Sequence, residues 1–113
     1  MTASLQLIAV PGIPLVKPGV DLVGLIIAGM TAAGLVLQDR DVVVIAQKIV
    51  SKAEGRFVDL ATVVPSPRAE TLAREVQKDA RLVELILSES RRVVRSGKDV
   101  LIVEHRLGFV MAN

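Results

Sequence analysis

Residues 99–113 read DVLIVEHRLGFVMAN, and whether they form strands decides the class of fold. Val100 to Val103 are four aliphatics in a row, three of them β-branched. Arg106 to Gly108 then interrupts them with a glycine-containing bend, and Phe109 to Ala112 is apolar again. That pattern predicts a strand, a tight bend and a second strand. Upstream the period changes. Ala69, Leu72, Ala73 and Val76 recur at helical spacing, which predicts a helix over Arg68–Gln77 behind Ser66 and Pro67. Glu70 stands one residue too far from Ser66 for a strict capping box. Asp79 opens another helix, whose stripe of Leu82, Val83, Leu85 and Ile86 runs on to Val93 before Ser96-Gly97 ends it.

The first half of the chain extends the mixture. Leu5 to Val10 predicts a strand, and Pro11, Pro14 and Pro18 then fix an extended loop. Asp21 is placed to cap a helix from Leu22 to Ala33, with Gly34 behind it. Val42 to Ala46 predicts a fully buried strand, and FVDLATVVP, residues 57–65, an extended segment. The expected fold is therefore α+β, a mixed α/β sheet with three helices, without repeats or a low-complexity linker. At 113 residues it is one domain at most. The chain stops at Asn113 directly behind an apolar strand, which reads as truncation.

Composition removes several function classes. An apolar fraction of 51% belongs to a globular protein. Only Phe57 and Phe109 are aromatic, and bases of single-stranded nucleic acid stack on aromatic platforms, so no nucleic-acid partner is expected. A net charge of +2 with interspersed acids points the same way. Without cysteine there is no disulfide, thiolate or zinc-thiolate chemistry, which fits a cytoplasmic setting. Val23 to Leu37 carries no charge but is shorter than the roughly 20 residues that span a bilayer, so no membrane partner is expected.

The chemistry concentrates at residues 42–60, VVVIAQKIVSKAEGRFVDL. An aliphatic run opens onto Lys48, Lys52, Glu54, Gly55 and Arg56. Loops at the end of a sheet strand are favoured ligand sites. Lys48 and Lys52 share a face if the segment is helical, and ammonium groups there are point-charge partners for a polyphosphate. Gly55 permits close backbone approach. No Walker A string occurs, so an ordinary solvated turn is the competing reading. His105 is the only histidine, so a multi-histidine metal site is excluded, and Glu84 and Glu89 read as a solvated helix face.

Five strings occur in the order in which the coenzyme F420-0:L-glutamate ligases carry similar motifs. They are GIPLVKPGVDL, DVVVIAQKIVSKAEGRFVDL, PSPRAETLA, RLVELILSES and LIVEHRLGFVMAN. The sequence resembles that family from about Ile8 to Asn113, as the N-terminal portion of its catalytic domain. Taken singly, QKIVSKAEGR is fairly specific. The resemblance implies a GTP-dependent ligase that activates a carboxylate of coenzyme F420-0 as an acyl phosphate and joins L-glutamate to it in γ linkage. It implies magnesium or manganese and potassium as ions, and a homodimer. It implies that Ile13, Pro14, Leu15 and Val16, with Gln47, Lys48 and Lys52, contact the guanine nucleotide. The family's metal-binding acids would follow after Asn113, so no metal ligand is expected within these residues and the chain alone would be catalytically incomplete. Met111 stands where many relatives have cysteine. The competing function is a non-enzymatic nucleotide-binding or dimerisation module derived from the family.

Overall fold

A computed structural model describes every residue from Met1 to Asn113. The chain divides into two compact units, Met1–Phe57 and Val58–Asn113. The fold class is α+β as expected, but with four α-helices rather than three, because Gln47–Ala53 is helical, and one three-stranded antiparallel sheet. No helix is long and apolar enough to cross a membrane.

The second unit holds the main core. Its helices are α3 (Pro67–Val76) and α4 (Ala80–Ser88), and its strands are β1 (Ser90–Gly97), β2 (Val100–His105) and β3 (Val110–Ala112). The sheet order is β1-β2-β3, so β2 is central. Leu101 and Val103 of β2 are buried against Ala69, Ala73 and Val76 of α3 and Val83 of α4, with Leu72, Ile86 and Val93 packed around them. The two small alanines let α3 lie close to the sheet, and the branched residues fill the remaining volume. Both helices start as their sequences dictate. Ser66 Oγ accepts the Ala69 N–H, and Asp79 Oδ1 accepts the Arg81 N–H. The β2–β3 hairpin turns at Arg106–Gly108 as expected, with the His105 N–H donating to Phe109 O at 2.8 Å.

Three local expectations in this unit are corrected. Residues 90–97 do not continue a helix; they form β1, and Val93 packs on the core from a strand. Pairing shifts register between Ser90 and Arg92 and between Val93 and Arg95. These bulges leave Arg91 and Val94 without a partner in β2, and partial burial falls on Ser90, Val93, Ser96 and Gly97. Val93 stands seven residues after Ile86, the interval that continues a helical stripe. The segment 57–65 contains a 3-10 turn, Leu60–Thr62, capped by Asp59 Oδ1. Glu84 is not simply solvated: its Oε2 accepts the Ser66 N–H at 2.7 Å and so completes the α3 cap from a different helix.

The first unit contains α1 (Leu22–Ala32) and α2 (Gln47–Ala53). Asp21 caps α1 through the Gly24 N–H at 3.0 Å, and Gly34 follows with a φ of 69°. Neither expected strand forms here. Leu5–Val10 and Val42–Ala46 are irregular, and Val42 and Val44 are 82% and 86% exposed rather than buried. An aliphatic run indicates a strand that needs neighbours on both sides, and no segment of this unit pairs with either one.

Candidate functional site

Proline sets the course of the loop through Ile13–Val16. Pro11, Pro14 and Pro18 restrict the backbone, and Gly12 and Gly19 take φ values of 73° and 80° at its two bends. Val16 is buried and Ile13 half-buried, whereas Pro14 and Leu15 face solvent. Ile13 lies against α1 at Gly29. A Cβ there would sit 3.1 Å from Ile13 Cδ1, from Pro11 O and from Val10 Cγ1, so the glycine is what admits the loop this close.

The lysine segment is helical. Gln47, Lys48 and Lys52 all belong to α2, and the interval of four puts the two lysines one above the other on a single face. Gln47 and Lys48 are exposed and Lys52 is half-buried. Neither ammonium is engaged in an ion pair or hydrogen bond, so the two charges are not neutralised by the protein. Beyond α2 the chain reverses at Gly55, whose φ is 64°, and the Arg56 N–H donates to Ser51 O. A single backbone bond joins the two candidate segments: the Gly19 N–H donates to Ala53 O at 2.8 Å. The loop that carries Ile13–Val16 is thereby fastened to the last residue of the helix that carries the lysines.

No group of three or more histidine, aspartate or glutamate side chains stands close enough to hold a metal ion. His105 has partners that its sequence surroundings do not reveal. Its ring stacks on Phe109 with centroids 4.4 Å apart, and its Nδ1 accepts the Leu107 N–H at 3.0 Å. Its Nε2 lies 3.6 Å from Glu89 Oε2, so Glu89, like Glu84, is not an idle member of a solvated face. Sequence reading missed both because the partner is distant along the chain: Ser66 and Glu84 are 18 residues apart. A clear electrostatic effect belongs to a cap. Arg81 hydrogen-bonds Asp79 through side chain and backbone and holds the Asp79 carboxyl at about 2.

The fold and the lysine pair together describe an α+β chain with two unneutralised cations on one helix face. Comparison with known proteins narrows this. The family model described as F420-0:Gamma-glutamyl ligase matches residues 12–113, and the chain belongs to that family. It is 47% identical over 109 residues to the coenzyme F420:L-glutamate ligase of Methanothermobacter thermautotrophicus, covering 96% of this chain and 43% of that protein. It is 47% identical over 98 residues to the ligase of the same name from Methanopyrus kandleri, covering 87% of this chain and 37% of that one. The corresponding protein of Methanosarcina acetivorans is 42% identical over 88 residues, 78% of this chain and 33% of its own length. The chain thus spans less than half the length of the curated relatives it matches.

Proposed function

We propose that this chain supplies the nucleotide-holding portion of a cytoplasmic, GTP-dependent ligase that joins L-glutamate in γ linkage to coenzyme F420-0. The observation that carries the reading is the pair Lys48 and Lys52, unneutralised on one face of α2, with Gly19 N–H bonded to Ala53 O behind them. Two ammonium groups one helical turn apart suit neighbouring phosphates of a nucleoside triphosphate. The exposed Leu15, with Pro14 and the half-buried Ile13, offers an apolar edge for the nucleotide's base or ribose, and Gln47 a polar one.

In the proposed reaction the γ-phosphoryl group passes from GTP to a carboxylate of coenzyme F420-0, giving an acyl phosphate and GDP. The amine of glutamate then attacks the acyl carbon, the new amide forms, and inorganic phosphate leaves. Charge develops on phosphoryl oxygens in the first step. Lys52 would neutralise part of it at a fixed position, and Lys48 would hold the phosphates that leave with GDP. Magnesium or manganese, with potassium, belongs to the reaction proposed for the whole protein. The acids present here do not gather into a site for such an ion, and no step is assigned to a metal held by them. Assembly as a homodimer is part of the same proposal. The large aliphatics exposed on the first unit, among them Leu5, Leu7 and Val44, favour it and equally favour the reading as a dimerisation module.

The test is Lys52→Ala, introduced into this segment grafted into the full-length Methanothermobacter thermautotrophicus ligase. A charge-assisted hydrogen bond contributes roughly 1.5–3 kcal/mol, so GTP affinity or glutamate-dependent turnover should fall about ten- to a hundredfold. Lys98→Ala, in the β1–β2 turn, should leave both unchanged. Equal GTP affinity and turnover in the two variants would reduce the lysine pair to a solvated helix face.

A further inference from the structure

Within the second unit a groove of about 530 Å³ runs between α3 and β1. Its floor is apolar, made by Leu72 and Val93, and its polar groups are Arg68, Thr71, Glu75 and Ser96. Intervals of three and seven from Arg68 put Thr71 and Glu75 on one side of α3. The seven-residue interval sets the Arg68 and Glu75 backbones roughly 10 Å apart along the helix axis, beyond the reach of a direct ion pair at one-turn spacing. Each therefore presents its charge to the groove. No hydrogen bond or ion pair engages the Arg68 guanidinium. Glu75 is fixed from the opposite wall, where Ser96 Oγ donates to its Oε1, leaving Oε2 to accept another donor. Thr71 Oγ1 accepts from Arg74 Nη2 at 3.3 Å, so its own hydroxyl proton remains for an acceptor.

We propose that this groove binds an acidic α-amino acid. Arg68 takes the side-chain carboxylate, Glu75 Oε2 takes the α-ammonium, and the Thr71 hydroxyl donates to the α-carboxylate. A cation and an anion held several ångströms apart over an apolar floor select a ligand whose opposite charges are separated by a short methylene chain. Glu75 repels a dianion that lacks an amine, and Arg68 repels a diamine. A polyphosphate is disfavoured for the first of these reasons. That the amino acid is glutamate, the incoming substrate, rests on the ligase reading above; the charge pattern stands without it.

The experiment is an amide NMR titration of the 113-residue chain with L-glutamate and, separately, with glutarate, which keeps both carboxylates and lacks the amine. A small ligand in an open groove binds in the millimolar range. L-glutamate should give saturable shifts at Thr71, Glu75 and Ser96, with glutarate at least about tenfold weaker. Arg68→Ala and Glu75→Gln should each weaken glutamate about tenfold, and Glu75→Gln should also narrow the difference between the two ligands. Arg68→Lys should retain part of the affinity and serves if the alanine variant does not fold. Three results overturn the proposal: no saturable shifts, glutarate binding wild type as well as glutamate does, or glutamate binding untouched by both variants. The readout uses neither nucleotide nor turnover, so its failure leaves the ligase reading standing, and failure of the Lys52 test leaves the groove standing.

Discussion

Glu84 shows how one side chain can join two elements that the sequence presents as separate. Ser66 meets the sequence rule for an N-cap, but the glutamate that satisfies its backbone N–H comes from α4 rather than from position 70. The Ser66 hydrogen bonds hold the Glu84 carboxyl below its ordinary value of 4.5. A carboxyl whose folded value is depressed favours the folded state above its unfolded value, and that contribution disappears as pH falls through the folded value. Glu84→Gln should therefore lower the unfolding temperature at pH 7, and the two proteins should converge as the pH falls below the ordinary carboxyl value and through the depressed one. Thermal unfolding followed by circular dichroism across that range is the check. A difference that stays constant from neutral to acid would mean the carboxylate charge has no part in the cap. Asp79 follows the same sign at lower pH, since Arg81 holds it at about 2, so both proteins should retain its contribution after that of Glu84 is lost.

At the scale of elements, legibility depended on whether the deciding partner lay nearby in the chain. Asp21, Ser66 and Asp79 each cap the helix that follows them, and all three signals are local. The bend at Arg106–Gly108 is local as well. The segment 90–97 misleads because Val93 stands seven residues after Ile86, an interval that continues a helical stripe, and only the register against β2 reveals the strand. Val42–Ala46 misleads differently: its composition describes a buried environment, while the chain in hand leaves Val42 and Val44 exposed. The lysine face of α2 was readable on the condition of a helix, which the structure meets; the bond from Gly19 to Ala53 was not, being a backbone contact without a sequence signature. One element still carries a removable strain. Gln77 ends α3 in the left-handed region, with φ 55° and ψ 45°, where a Cβ is disfavoured and glycine is not. Gln77→Gly should stabilise the protein by about 0.5–1 kcal/mol, the relief of strain being partly offset by the freedom glycine adds to the unfolded chain. Urea unfolding beside Gln77→Ala decides the matter, because alanine should give no gain. Equal stability of the two would show that the Lys78 N–H bond to Ala73 O, rather than the Gln77 backbone, sets the end of the helix.

Across the whole molecule, apolar burial is unevenly shared. Leu101, Val103, Val76, Val83, Ala69 and Ala73 are buried together in the second unit, whereas Val16 is the buried aliphatic of the first. In the first unit Leu5, Leu7, Leu15, Val36, Val42 and Val44 are more than half exposed. Since burial of apolar surface is the main favourable term in folding, the two units should differ in local stability. Hydrogen exchange on the 113-residue chain should protect the amides of α3, α4 and β2 most strongly. Those of α1 and α2 should exchange through lower-energy openings. The segment Val58–Asn113, expressed alone, should then keep the far-ultraviolet signature of two helices on a small sheet and a cooperative unfolding transition, because its core lies within it. Nucleotide offers a second handle on the weaker unit. A ligand held by Lys48 and Lys52 stabilises what it binds in proportion to the logarithm of its concentration over Kd, so GTP should slow exchange in α2 before it affects β2. Protection in α2 equal to that of β2 without nucleotide would contradict this ordering. So would a segment 58–113 that is unfolded on its own, since the stability of the second unit would then have to come from outside its own core.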